Sequence, residues 1–151
     1  MDFNIELFIH ALIALSLGSI IGLERQLNRQ AAGLHTNALV SLGSACFVIL
    51  GILLSGGSDN ARVASQVVTG IGFLCAGVIM RDGLQIRGIN TAATLWCAAG
   101  VGALCGAGFF MFATTIAILI LITNMIFHWL ERKMGWERNE TEQPASNQSE
   151  A

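Results

Sequence analysis

Between Ile5 and His128 the chain is a succession of apolar runs broken only by short polar links. Each run is close to the roughly 20 residues that carry a helix across about 30 Å of hydrocarbon. Few folds are open to such a pattern. Without water, every backbone N–H and C=O must be bonded inside the protein, so the runs are read as transmembrane helices. They extend from about Ile5 to Leu23, from Thr36 or Asn37 to about Leu54, from Arg62 to Met80, along TAATLWCAAGVGALCG from Thr91, and from about Phe109 to His128. The expected fold class is therefore an all-α integral membrane protein with five transmembrane helices. Residues 1–138 are expected to form the transmembrane domain. Residues 139–151, NETEQPASNQSEA, lack the apolar surface that offsets ordering and are expected to be a disordered polar cytoplasmic tail. The chain opens without the basic start and small-residue cleavage site of a signal peptide, so the first run is expected to remain as a span.

Basic residues orient these spans. With the N-terminus outside and the C-terminus inside, the inner segments hold Arg25, Arg29, Arg81, Arg87, Arg132, Lys133 and Arg138, which leaves only Arg62 of the 8 basic residues outside. The positive-inside rule favours that arrangement, and Trp129 and Trp136 suit an interfacial belt. Gly18 and Gly22, and again Gly102 and Gly106, repeat at a four-residue interval that puts both members on one helix face, where another backbone can approach.

Composition removes several function classes. A net charge of -2 with 12% charged residues offers no basic face for nucleic acid. Cys46, Cys75, Cys97 and Cys105 sit inside apolar runs without metal-ligand spacing, and are read as buried structural thiols. No nucleophile elbow, phosphate-binding loop or HExxH run occurs, and no cofactor is expected. Carboxylates are missing from the middle of the spans, whereas a path for a divalent cation needs oxygen ligands there. The chain is expected not to be an enzyme.

The polar residues inside apolar segments remain to be explained. They concentrate between Arg62 and Trp96, two spans joined by the elbow MRDGLQIRGIN. Gln66 shares a helix face with Arg62. An amide in hydrocarbon costs free energy unless bonded, so Gln66 is expected to meet another helix, while Arg62 can snorkel to phosphate. Thr91 or Asn90 is expected to cap the fourth span, and Thr36 or Asn37 the second. Asp82 and Arg87 flank the elbow and can pair. Glu24 and Arg25 lie where the first span meets the membrane surface; they can hold the helix end, coordinate a cation or touch a partner. Glu6 and His10, four apart, read as a solvated interfacial pair.

Four segments carry a resemblance: GLERQ (Gly22 to Gln26), AGLHTNALVSLG (Ala32 to Gly43), RVASQVVTGIGFLCAGVIMRDG (Arg62 to Gly83) and IRGINTAATLWCAAGVGALCGAG (Ile86 to Gly108). Together they resemble the membrane domain of the MgtC/SapB family over about residues 5 to 130. The resemblance puts the family's polar elements on Glu24, Arg25 and Gln26, on Arg62, Gln66 and Gly70, and on Arg87, Gly88, Asn90, Thr91, Thr94 and Trp96. Two positions depart: His35 stands where the family usually has Arg, and Cys75 where it usually has Gly. The chain is also expected to lack the cytoplasmic ACT-like domain into which many members continue.

The resemblance implies a multi-pass protein of the bacterial inner (cytoplasmic) membrane, linked to adaptation to low magnesium and survival inside host cells. Its implied mode of action is that of a non-enzymatic regulator making helix contacts with another membrane protein, such as the rotary ATP synthase. The candidate contact residues are Glu24, Arg25, Gln26, Arg62, Gln66, Arg87, Asn90 and Thr91. A homo-oligomer is compatible with the small-residue faces. The alternatives are an oligomeric small transporter or channel for magnesium or another cation, and a scaffold whose polar residues only fix helix packing.

Overall fold

The computed structural model describes residues 5–56, 60–82 and 85–134; the expected polar tail lies outside them. Five helices follow one another: α1 Ile5–Leu27, α2 Leu34–Ser55, α3 Asn60–Val78, α4 Ile89–Gly106 and α5 Phe110–Met134. All five are long and apolar enough to cross a membrane. Their outward sides suit that solvent: Phe73 is 83% exposed and Met111 82% exposed, which water would penalise and lipid does not.

Contacts near the helix ends fix the relative directions. The end of α1 meets the start of α4 through Arg25 and Thr91, and the start of α2 through Gln26 and Leu34. At the other end, His10 of α1 reaches the Gly106 carbonyl at the close of α4 and stacks edge-on with Phe110 at the start of α5, 4.8 Å between ring centroids. Helices α1 and α5 therefore run parallel, with α2 and α4 opposed to them. His10 has turned inward to the carbonyls that α4 leaves open, so it serves as a helix-end partner rather than in the solvated pair with Glu6 that its spacing invites.

The tightest packing joins α1, α2 and α4. Helix α2 lies between the two glycine pairs read from the sequence. A β-carbon at Gly18 would stand 2.5 Å from the Ser41 Cβ, and one at Gly102 would collide with the Ser41 carbonyl oxygen. Gly22 abuts Leu34 and Gly106 abuts Ala45 in the same way. Ser41 is fully buried at this crossing and donates 2.7 Å to the Ala14 carbonyl, so the polar atom left by the close approach is satisfied. Around it Ala14, Ile21, Ala45, Val101, Cys105, Ala113 and Ala117 form the core. Lipid tails are as apolar as these side chains, so close van der Waals contact between small residues, rather than exclusion of water, holds the trio.

Local structure differs from expectation in the links. The elbow is a β-hairpin: Met80–Asp82 pairs antiparallel with Gln85–Arg87, in the register Met80 to Arg87, Arg81 to Ile86 and Asp82 to Gln85. Residues between strands that short leave no length for a helix, so the chain reverses through main-chain pairing. Gly88 then takes φ 87°, a conformation that strains other residues, and a β-carbon there would also strike the Val78 carbonyl.

Neither expected side-chain cap forms. Helix α2 starts after Gly33, where the Gln26 side-chain oxygen accepts from the Leu34 N–H at 3.2 Å, while Asn37 bonds back to the Ala32 and Gly33 carbonyls at 2.6 and 3.0 Å. Helix α4 starts after Gly88, which has no side chain to cap it, and the Thr91 hydroxyl, now inside the first turn, accepts from Arg25. The cysteines also divide: Cys105 is buried, Cys75 and Cys97 are half-buried, and Cys46 is exposed on α2, against the expectation of four buried thiols.

Candidate functional site

Six of the eight candidate residues fall into two groups on different sides of the bundle. Glu24, Arg25, Asn90 and Thr91 gather where α1, α4 and α5 converge, around a cavity of about 470 Å³. Arg62 and Gln66 lie on α3, away from it. Gln26 belongs to the α1–α2 link, as the acceptor for Leu34, and Arg87 to the hairpin, opposite Met80.

Arg25 organises the first group. Placed in the last turns of α1 and facing α4, it is only 4% exposed, and a guanidinium at such depth requires acceptors. Its Nη2 donates 2.7 Å to the Thr91 hydroxyl and 3.3 Å to the Ala31 carbonyl. One side chain thus ties α1 to the first turn of α4 and to the α1–α2 link.

Glu24, one residue earlier, points toward α5. Its carboxylate accepts 2.7 Å from the Asn28 amide on its own helix and 3.1 Å from the Asn124 amide on α5. Both donors are neutral. Asn124 received no role from the sequence, although a lone amide within the most apolar run is the same signal that singled out Gln66. Farther along α5, His128 and Glu131 line this cavity too, as do Thr94 and Cys97 of α4. The cavity is a mixed-charge recess lined by Arg25, two carboxylates, an imidazole and several amides. Among the described residues no group of three His, Cys, Asp or Glu side chains is arranged to hold a metal ion.

The second group has another character. Helix α3 is the least enclosed of the five: Ile71 is its single buried position among the described side chains. Its thiol Cys75 donates to the Ala92 carbonyl at 3.2 Å, one of the contacts that hold it to α4. Toward α2 it leaves a groove of about 780 Å³ with overwhelmingly apolar walls, His35 and Thr36 at one end and Leu54 and Val63 toward the other. Gln66 stands exposed on the wall and makes no hydrogen bond to a described residue. The expectation that it meets another helix is thus not met within this chain. Gly43 and Gly70 line the same groove, and a β-carbon on either would meet nothing within 4 Å.

Comparison with known proteins follows the same residues. The sequence matches the MgtC family over residues 11–133. It is 51% identical over 124 residues to Protein MgtC of Brucella abortus (strain 2308), covering 82% of this chain and 52% of that protein. Protein MgtC of Salmonella typhimurium (strain LT2) is 52% identical over 118 residues, 78% of this chain and 51% of its own length. An uncharacterized protein of Synechocystis is 46% identical over 125 residues, 83% of this chain and 53% of its own. The chain spans about half the length of these relatives. No solved structure matches.

Proposed function

This chain belongs to the MgtC family, and from that premise we propose that it is a non-enzymatic regulator of the bacterial inner membrane that works by receiving a helix of another membrane protein in the α2–α3 groove. The observation that carries this reading is Gln66, an exposed amide on a helix apolar enough to cross a membrane, in a groove where β-carbons added at Gly43 and Gly70 would meet nothing within 4 Å. An unbonded amide in lipid is costly, and interhelical polar contacts contribute on the order of 1 kcal/mol. A partner helix seated over Gly43 and Gly70 could approach closely enough to bond Gln66. The rotary ATP synthase is the partner class that the family resemblance suggests, and growth in low magnesium is the phenotype to follow.

On this reading the Glu24–Arg25–Thr91 group acts indirectly, by fixing how α4, and through it the hairpin and α3, meets α1. The membrane orientation adopted is N-terminus out and C-terminus in. The test replaces Gln66 by Leu. The expected result is a protein that still inserts but no longer supports low-magnesium growth; full growth would remove Gln66 from the site.

A second reading takes the mixed-charge cavity as its starting point. Glu24 and Glu131 put two carboxylates on its lining, which would draw a passing cation without three side chains arranged to hold one, as an oligomeric transporter or channel would need. Liposomes holding the purified protein and a magnesium-sensitive dye separate the two. Flux abolished by Glu24→Gln would favour transport over regulation.

A further inference from the structure

On the far side of Glu24 from the mixed-charge cavity, α1 and α5 diverge and leave a second recess, about 730 Å³, open along the outside of the bundle. Its walls are apolar for most of their length. Ile20 and Leu23 come from α1, and Leu121 and Met125 from α5, each set at the three- or four-residue spacing that aligns side chains on one helix face. At the end nearest the close of both helices the character changes to Trp129, Arg132 and Lys133. The Lys133 ammonium lies 4.9 Å from the centre of the Trp129 ring, so the indole holds the cation at the mouth of the groove.

We propose that this groove is a binding site for one anionic phospholipid. An apolar trough ending in an indole and two cations matches the sequence of parts in such a molecule, acyl chain first and phosphate last. Trp is favoured at headgroup depth, and Lys and Arg at a helix end reach the same level. Charge complementarity selects the headgroup. Arg132 and Lys133 face it from α5, and the opposing carboxylate, Glu24, is already hydrogen-bonded by Asn28 and Asn124. The remaining polar liner, His128, can donate a further hydrogen bond. A zwitterionic lipid would satisfy the trough equally but bring an ammonium group toward two cations.

Trp129 reports occupancy directly. The protein carrying Trp96→Phe and Trp136→Phe is reconstituted in phosphatidylcholine vesicles containing increasing fractions of phosphatidylglycerol with brominated acyl chains, and quenching is read as a relative affinity. The expected preference for phosphatidylglycerol is roughly thirtyfold, from two cations at the surface. Arg132→Gln with Lys133→Gln should bring it close to one, whereas Arg132→Lys with Lys133→Arg should keep it. Trp96 alone, with Trp129→Phe, should follow bulk composition. Helicity by circular dichroism shows that each variant is folded, and the charge-preserving pair keeps the test valid should the neutral pair fail to fold.

Quenching of Trp129 that follows bulk composition would overturn the proposal. So would a preference that survives removal of both charges, or a stronger preference for brominated phosphatidylethanolamine. Inorganic phosphate at matched ionic strength should leave the preference unchanged; its loss there would identify a site for the free anion rather than the lipid.

Discussion

Glycines behave in opposite ways on α4 and α3, and the contrast separates what holds this protein together from what it offers to others. On α4, Gly102 and Gly106 are pressed against the α2 backbone, as are Gly18 and Gly22 of α1. On α3, Gly70, Gly72 and Gly77 face open space. The residue type and the neighbouring apolar content are alike. A small residue in a membrane helix lowers the cost of a close approach, but contributes only where another backbone arrives. At Gly18, Gly22, Gly102 and Gly106 that backbone is part of the chain; at the α3 glycines, as at Gly43 and Gly100, no other part of the described chain supplies it.

The same substitution should therefore have opposite consequences. Gly102→Ala drives a methyl into the Ser41 carbonyl, and overpacking of that kind costs roughly 1–3 kcal/mol or more. Gly70→Ala meets nothing and removes a flexible residue from a helix, which stabilises by about 0.5–1 kcal/mol. Thermal unfolding in detergent should show Tm falling for the first and holding or rising for the second. Equal losses would erase the distinction between the two regions.

A smaller effect tests the polar fastening of the trio. Thr91→Val removes the acceptor of a buried guanidinium and should cost about 2 kcal/mol. Combined with Arg25→Gln the losses should not add, because the two residues share one contact. Additive losses would mean that Arg25 and Thr91 stabilise the bundle separately. On the open side, Gln66→Leu should change stability by less than about 0.5 kcal/mol, as expected for a surface position, while abolishing low-magnesium growth. A large drop in Tm would reveal a structural role for Gln66.

A further change concerns the α1–α2 link. Ala32 has φ 54°, a region that costs residues with a β-carbon, so Ala32→Gly should raise stability by up to about 1 kcal/mol. A fall would show that the link carries no strain there.

The five helices were legible in the sequence because hydrocarbon thickness imposes a length on every apolar run. The close-approach faces were legible as well, since Gly18 with Gly22 and Gly102 with Gly106 recur at the interval of one helix face. What the sequence concealed was which helix each pair would meet, and that Gly70 would meet none, because spacing within a helix carries no information about its neighbours. Capping failed for a related reason. Asn90, Thr91, Thr36 and Asn37 are good caps locally, but the helices start earlier, after Gly33 and Gly88, which puts these side chains inside the first turn, where Thr91 accepts from the buried Arg25 and Asn37 donates to the Ala32 and Gly33 carbonyls. The hairpin was hidden by its brevity, since three-residue strands have too little alternation to read. Asn124 shows the remaining gap: its amide stood out as much as that of Gln66, yet only the arrangement of α1 beside α5 gives it Glu24.

The most direct measurement places a photoreactive residue at Gln66, and separately at Phe112 on the exposed side of α5, in native bacterial membranes. The account predicts one discrete adduct with a different membrane protein from position 66, none from position 112, and loss of that adduct when Gly43→Leu fills the groove. Adducts only between copies of this chain, or the same products from both positions, would contradict it.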